Sequence, residues 1–152
     1  MSRLESYIVA YKKAIEHPFF DKGAIERLIK EYETYGNLII GFDFDNTIFD
    51  YHNKGGNYSK IISLLQDCKE LGFTLCLYTL ELNEERLKWK ILYCKYYGIE
   101  PSYINDSPIL KGYKKPFFNI LLDDRAGLES SYNILKAVVD YEKNLSRDDS
   151  SF

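Results

Sequence analysis

The chain has 152 residues, which is the size of one domain with a substantial core. Hydrophobic residues make up 45% and aromatic residues 16%, which excludes an intrinsically disordered chain. The net charge of −3 argues against an extended nucleic-acid-binding surface, and no apolar run approaches the ~20 residues of a membrane span. Cys68, Cys76 and Cys94 lack CxxC spacing, and there is no secretory signal, so we expect reduced thiols that pack as small core hydrophobes in a cytoplasmic protein.

Residues 1–36 are predicted to form a helical hairpin packed on the core. His17-Pro18 breaks the first helix, Asp21 is placed to cap the second, and Gly36 is placed to end it. We expect the hairpin to cover one face or edge of the sheet; a lid over a site, or a contact in a homodimer, is the functional alternative. The apolar positions at helical spacing are Leu4, Ile8, Tyr11 and Ile15, followed by Ile25, Leu28, Ile29 and Tyr32.

Residues 37–145 alternate between apolar strands and amphipathic helices, and residues 146–152 are predicted to be a flexible tail. The alternation predicts an α/β fold, a three-layer, Rossmann-like parallel sheet with helices on both faces. The predicted strands are 38–40, 73–79, 102–105 and 119–122, and the predicted helices are 58–71, 83–97 and 128–142.

Polar side chains follow three of these strands. Asp43 and Asp45 come after the first strand, Thr79 ends the second, and Asp123 and Asp124 follow the last. Because right-handed crossovers bring the carboxyl ends of parallel strands to one edge of the sheet, we expect these side chains to converge there. Carboxylates at the mouth of a buried strand need a counter-charge, and a divalent cation would supply one.

This set of residue types suits magnesium-assisted phosphoryl transfer. Magnesium prefers a few carboxylate oxygens together with waters and substrate phosphate. One carboxylate can attack phosphorus directly and form an aspartyl-phosphate. A second carboxylate two residues along an extended backbone points the same way and can protonate the leaving oxygen.

Four motifs in this order resemble those of the haloacid dehalogenase (HAD) superfamily, and together they cover about residues 38–135. Any one of them is modest evidence, whereas four in order are specific. The combined pattern Lys-Pro-x-x-Asn-x-x-x-Asp-Asp-Arg is similar to small phosphatase-type members. The matching segments are Asp43-Phe44-Asp45-Asn46-Thr47, Leu77-Tyr78-Thr79, Lys115-Pro116 and Leu121-Leu122-Asp123-Asp124.

The resemblance implies a role for each catalytic position. Asp43 would be the nucleophile and a ligand of Mg²⁺, and Asp45 would be the general acid and then the base, touching the metal through its backbone carbonyl. Thr79 would bind the phosphoryl oxygens. Lys115 would hold the nucleophile and the phosphate in place.

The resemblance also implies the remaining metal ligands. Asp124 would bind the metal directly, with Asp123 beside it in the first or second coordination sphere. Lys111 and Lys114 compete with Lys115 for the third motif; we prefer Lys115 because it directly precedes Pro116 and a strand.

Three other side chains near the motifs have less specific interpretations. Thr47 is expected to support the loop. His52 is expected to be a solvated loop residue, and contact with a substrate is the alternative. Arg125 either pairs with a neighbouring acid or meets an anionic substrate.

No insertion is long enough for a substrate-selecting cap domain, so the chain resembles capless members of the superfamily. The implied function is a magnesium-dependent phosphomonoester hydrolase that acts on a phosphorylated substrate through an aspartyl-phosphate. The alternatives are a phosphatase for nucleotides or nucleic-acid ends, which the acidic pI weakens, and a non-catalytic phosphate-binding or regulatory domain. Specificity resides in loops that catalysis does not dictate, so the substrate stays open.

Overall fold

The computed structural model describes residues 2–5, 20–110 and 112–150, the last three of these for their backbone alone. Helices and strands alternate along the chain, as the apolar pattern predicts. The helices are α1 (Asp21–Tyr35), α2 (Ser59–Glu70), α3 (Glu84–Tyr96) and α4 (Leu128–Ser150), and the strands are β1 (Ile39–Phe42), β2 (Thr74–Leu77), β3 (Tyr103–Ile104) and β4 (Ile120–Leu122).

The four strands form one parallel sheet in the order β3-β2-β1-β4. The α/β prediction with a parallel sheet is therefore confirmed, and the arrangement is compatible with a Rossmann-like fold. β1 lies between β2 and β4, with Gly41 opposite both Cys76 and Leu121. All four residues of β1 are buried, which explains why they form a continuous apolar run instead of alternating with polar residues.

Gly41 is required by a close approach on one face of β1. A Cβ atom at this position would lie 2.6 Å from a ring carbon of Phe118. The ring of Phe118 in turn packs edge-to-face on Tyr78, with 5.7 Å between the ring centroids. The missing side chain at Gly41 thus makes room for an aromatic pair that ends beside the carboxyl end of β2.

The core lies between the sheet and helices α1, α2 and α4. α1 packs against α4, and α4 also contacts α2 and β4. Cys68, Cys76 and Cys94 are buried free thiols, as expected, and burial raises the pKa of each to about 12. Fully buried core side chains include Leu28, Leu38, Ile40, Phe42, Leu65, Leu77, Leu122, Leu135 and Val138.

The second helix of the predicted hairpin is α1, which Gly36 ends with a left-handed φ of 71°. Asp21 is not its cap, because the helix begins at Asp21 itself and the Asp21 carboxylate accepts a hydrogen bond from Ser130 Oγ at 2.5 Å. The first helix is described only for residues 3–5, which are helical. The rest of that prediction, residues 6–19, lies outside the described residues.

The last helix is longer than predicted. It was expected to end at Glu142, but α4 continues to Ser150. No glycine or proline occurs between residues 128 and 150, so nothing in the backbone chemistry stops the helix. Lys143 also ties this part to α2 through an ion pair with Asp67 at 2.8 Å. A helical conformation does not show whether the predicted tail, residues 146–152, is flexible, so its flexibility stays a prediction.

Within the part of the chain that the structure describes, none of the helices combines the length and the apolar character that crossing a membrane requires.

Candidate active site

A cavity of about 660 Å³ opens at the carboxyl edge of the sheet. Three strands, β1, β2 and β4, all end there. In the sheet, β2 lies on one side of β1 and β4 lies on the other. This is the position where open α/β sheets bind ligands. The lining residues are Asp43, Asp45, Asn46, Tyr51, His52, Tyr78, Thr79, Leu80, Asn105, Asp123, Asp124 and Arg125.

The first two aspartates are held on a tight loop directly after β1. Asp43 still belongs to the sheet, because its N–H donates to the carbonyl of Leu122 at 2.9 Å. The chain then turns at Asn46, whose φ of 58° lies in the left-handed region that asparagine tolerates better than most residues. Its N–H donates to Phe49 O at 2.7 Å and closes the turn. The side chain of Phe44, between the two acids, is fully buried.

Asp43, Asp123 and Asp124 form an acidic cluster. One carboxylate oxygen from each lies within 4.8 Å of the others. Burial raises the pKa of Asp43 to about 7; a hydrogen bond from the Phe44 N–H opposes this rise, and the charges of Asp123, Asp124 and Asp45 add to it. The sequence prediction that these acids converge on one edge of the sheet is met in the structure.

Thr47 joins the two acidic segments. It is fully buried, and its hydroxyl oxygen accepts a hydrogen bond from the Asp124 N–H at 3.2 Å. The carboxylate of the preceding residue, Asp123, accepts a hydrogen bond from the Arg125 N–H at 2.9 Å. Thr47 therefore supports the loop, as expected, and also sets the position of Asp124 relative to Asp43.

Thr79 is positioned by a residue that sequence reasoning missed. Its N–H donates to Asn105 Oδ1 at 2.8 Å, and the N–H of Asn105 donates to Leu77 O at 2.7 Å. Asn105 follows the two-residue strand β3 with a left-handed φ of 52°. A polar residue directly after a short strand at this edge was the available signal.

Lys90 on α3 is the second residue that sequence reasoning missed. Its side chain is buried, and its Nζ lies 3.1 Å from Asp45 Oδ2 and 3.2 Å from Thr79 Oγ1. Lys90 shares the inward helical face with Leu87, Ile91 and Cys94. A lone lysine in such an apolar stripe was the signal that could have found it.

Two of the three lysines considered for the third motif do not line this cavity. Lys115 and Lys114 are exposed and do not line it, and Lys111 lies outside the described residues. Lys115 lies in the irregular segment that leads into β4, four residues before that segment ends. Its assigned role stays a prediction. Among the described residues, the lysine that the structure brings to Asp45 is Lys90.

Exposed side chains surround the mouth of the cavity. The rings of Tyr51 and His52 pack edge-to-face with 5.1 Å between their centroids. Arg125 is exposed and also lines the cavity. The loop that carries Tyr51 and His52 is ordered by Asp50, whose carboxylate accepts backbone N–H groups from residues 54, 55 and 56. His52 is therefore a loop residue, as expected, and it also lines the cavity.

Comparison of the chain with protein-family models, with curated proteins and with solved structures finds no match.

Proposed function

We propose that the chain is a magnesium-dependent phosphomonoester hydrolase that works through an aspartyl-phosphate on Asp43. The observation that supports this most directly is the meeting of Asp43, Asp123 and Asp124 within 4.8 Å in a cavity that also holds Asp45 and Thr79. These are the residues that resemble the motifs of the HAD superfamily, and they fall at the ends of adjacent parallel strands.

The acidic cluster has the donor chemistry for a hard divalent cation. Among the described residues, no lysine or arginine nitrogen forms an ion pair with Asp43, Asp123 or Asp124. Their mutual repulsion is one reason why the pKa of Asp43 is raised, and a cation would relieve it. Carboxylate oxygens are the ligands that Mg²⁺ prefers in proteins. Bound here, Mg²⁺ would neutralise charge on the transferring phosphoryl group.

Asp43 and Asp45 divide the chemistry between them. A carboxylate oxygen of Asp43 attacks phosphorus, and the new acyl-phosphate bond forms as the bond from phosphorus to the leaving oxygen breaks. Asp45 gives its proton to that leaving oxygen. In the second half, Asp45 takes a proton from water, the resulting hydroxide attacks phosphorus, and the release of inorganic phosphate restores Asp43.

Thr79 contributes a hydrogen-bond donor to the phosphoryl oxygens. Its Oγ1 already accepts a hydrogen bond from Lys90, so its hydroxyl hydrogen can be given to a bound ligand. The hydrogen bond between its N–H and Asn105 holds it at the cavity wall. Thr79 therefore binds and orients the phosphoryl group and exchanges no proton with it.

The test is phosphate release from a panel of substrates with Mg²⁺ and again with EDTA. The panel contains aryl phosphates, nucleoside monophosphates, sugar phosphates and a 3′-phosphorylated oligonucleotide. We expect turnover with Mg²⁺, loss of turnover with EDTA, and a fall in kcat on the order of 10³-fold or more for Asp43→Asn. Asp140→Asn is the matched control, since Asp140 is an exposed acid on α4 that pairs with Lys136.

Full activity of Asp43→Asn would contradict the proposal. Binding of beryllofluoride, which mimics an aspartyl-phosphate, without turnover of any substrate would instead favour a phosphate-binding domain that does not catalyse hydrolysis.

A further inference from the structure

Lys90 lies where three acceptors from different parts of the chain meet. Its Nζ is 3.1 Å from Asp45 Oδ2, 3.2 Å from Thr79 Oγ1 and 3.3 Å from Glu81 Oε1. Asp45 follows β1, while Thr79 and Glu81 belong to the segment between β2 and α3. The lysine side chain is 5% exposed. One buried ammonium group therefore links the loops of two strands at the cavity.

The number of acceptors around Lys90 limits what it can do. An ammonium group has three N–H donors and no acceptor, and three oxygens lie within 3.3 Å of this one. The ring of Phe44 lies on a further side, with its centroid 5.2 Å from Nζ. The ammonium group is therefore already engaged by two hydrogen bonds, to Asp45 and Thr79, and by an ion pair with Glu81. Lys90 is thus poorly placed to bind phosphate and well placed to hold its neighbours.

Glu81 supplies the second negative charge that keeps the ammonium group buried. Its side chain is 12% exposed, and its other oxygen, Oε2, accepts the N–H of Asn83 at 3.3 Å. Burial acts to raise the pKa of Glu81, but hydrogen bonds from Asn83 and Lys90, together with the charges of Lys90 and Arg86, outweigh it, so the pKa is lowered. Glu81 is therefore a charged partner for Lys90, while Asp45 keeps contact with the cavity.

The contact with Asp45 distinguishes its two carboxylate oxygens. Oδ2 accepts the hydrogen bond from Lys90, which leaves Oδ1 to carry the proton of the general acid. A carboxylate without this contact could rotate about its last torsion, because such a torsion is broad. Misplacement of a catalytic group by about 1 Å can cost ~100-fold in rate.

We propose that Lys90 is a positioning residue that fixes Asp45 through Oδ2 and Thr79 through Oγ1, so that Oδ1 of Asp45 delivers the proton to the leaving oxygen. This inference rests on the proposed phosphomonoesterase function. The proton moves from Oδ1 to the leaving oxygen as the bond between that oxygen and phosphorus breaks and the bond from Asp43 forms. Lys90 keeps all of its protons throughout.

Leaving groups of different basicity test this role. An aryl phosphate such as p-nitrophenyl phosphate leaves as a stable phenolate and needs little help from an acid, whereas glycerol phosphate leaves as a basic alkoxide and depends on one. We expect Lys90→Met to lower kcat/KM for glycerol phosphate by about 10–100-fold more than kcat/KM for p-nitrophenyl phosphate. The ratio kcat/KM is compared because it covers the steps up to loss of the leaving group, whereas hydrolysis of the aspartyl-phosphate is common to both substrates. Lys90→Arg should restore most of the difference, since it keeps a cation that can donate to Asp45.

Lys143→Met is the matched control, because it removes a partly buried lysine that pairs with Asp67 far along α4. It should change kcat/KM for both substrates equally or not at all. Circular dichroism checks that each variant is folded; if Lys90→Met does not fold, Lys90→Gln gives the same comparison with a neutral side chain of similar length. An equal fall in kcat/KM for the two substrates, or no fall, would overturn the positioning role. Absence of turnover by the wild type on both of these substrates and on the whole panel would instead refute the proposed function.

Discussion

Replacing Gly41 with alanine would place a methyl group against the ring of Phe118, in the middle of β1. Three ring carbons would lie 2.6–2.9 Å from the new Cβ, so the ring must retreat by about 0.8 Å to restore an ordinary contact of 3.4 Å. Overpacking of this kind typically costs ~1–3 kcal/mol. We therefore expect Gly41→Ala to lower the free energy of unfolding by about 1–3 kcal/mol.

The sign of this effect should reverse when the ring is absent. In a Phe118→Ala background the three ring carbons nearest to the new methyl group are gone. Alanine in a strand interior is then more stable than glycine by roughly 0.5–1 kcal/mol because it loses less backbone entropy. Urea denaturation of the wild type, the two single variants and the double variant measures all four free energies, and an unchanged m-value shows that they are comparable.

Two results would refute this reasoning. The first is a loss below about 0.5 kcal/mol for Gly41→Ala in the wild-type background, since surface-like substitutions fall in that range. The second is an equal loss in both backgrounds, which would assign the cost to the backbone of β1 instead of to the contact with Phe118.

Two further substitutions test the buried polar groups. Thr47→Val keeps the shape of a fully buried side chain but removes the acceptor of the Asp124 N–H. We therefore expect the free energy of unfolding to fall by about 1–2 kcal/mol and activation by Mg²⁺ to weaken in a metal titration. Lost stability with unchanged activation would separate Thr47 from the metal site. Glu142 is 7% exposed, its Oε1 has no hydrogen-bond partner among the described residues, and burial, with a smaller effect of Glu33, raises its pKa. The folded chain therefore holds this proton more tightly than the unfolded chain, and the contribution of Glu142 to stability falls as pH rises from about 4.5 through the folded pKa. Glu142→Gln should raise the urea midpoint more at pH 8 than at pH 4, and an equal gain at both pH values would contradict this explanation.

The central strand β1 could be predicted because all of its residues are buried. Parallel strands of this kind are continuous apolar runs, and Ile39–Phe42 is such a run. Helix ends that depend on a local signal were also predictable: Asn83 caps α3 by accepting the Arg86 N–H, and Gly36 ends α1. The end of α4 was missed because no local signal marks it, and the contact between Lys143 and Asp67 joins residues far apart in sequence.

The convergence of the acidic residues at the site was predictable for a topological reason. Asp43, Asp45, Asp123 and Asp124 directly follow strands, and parallel strands end at one edge of the sheet, so their convergence needs no knowledge of side-chain packing. Their chemical roles stay predictions.

The position of Lys90 at the site was not predictable in the same way. Lys90 reaches Asp45 from a helix, and its position depends on the rotation of α3 about its own axis and on the reach of a long side chain. Lys115, which directly precedes Pro116, was the better match to the third motif. The physical argument for placing it at the site was weaker than the argument for Lys90. An ammonium group buried in an apolar stripe needs partners, and that requirement was the signal that could have found Lys90.

The backbone hydrogen bonds of the sheet run one residue beyond the strands into the cavity. The N–H of Asp43 is bonded to Leu122, and the N–H of Tyr78 is bonded to Phe42. Asp43 therefore cannot shift without breaking the pairing of β1 with β4, and such opening draws on the stability of the whole sheet. Under the proposed function, adjustment to different substrates would then fall to side chains at the mouth, such as Tyr51, His52 and Arg125, while the attacking oxygen of Asp43 keeps its place.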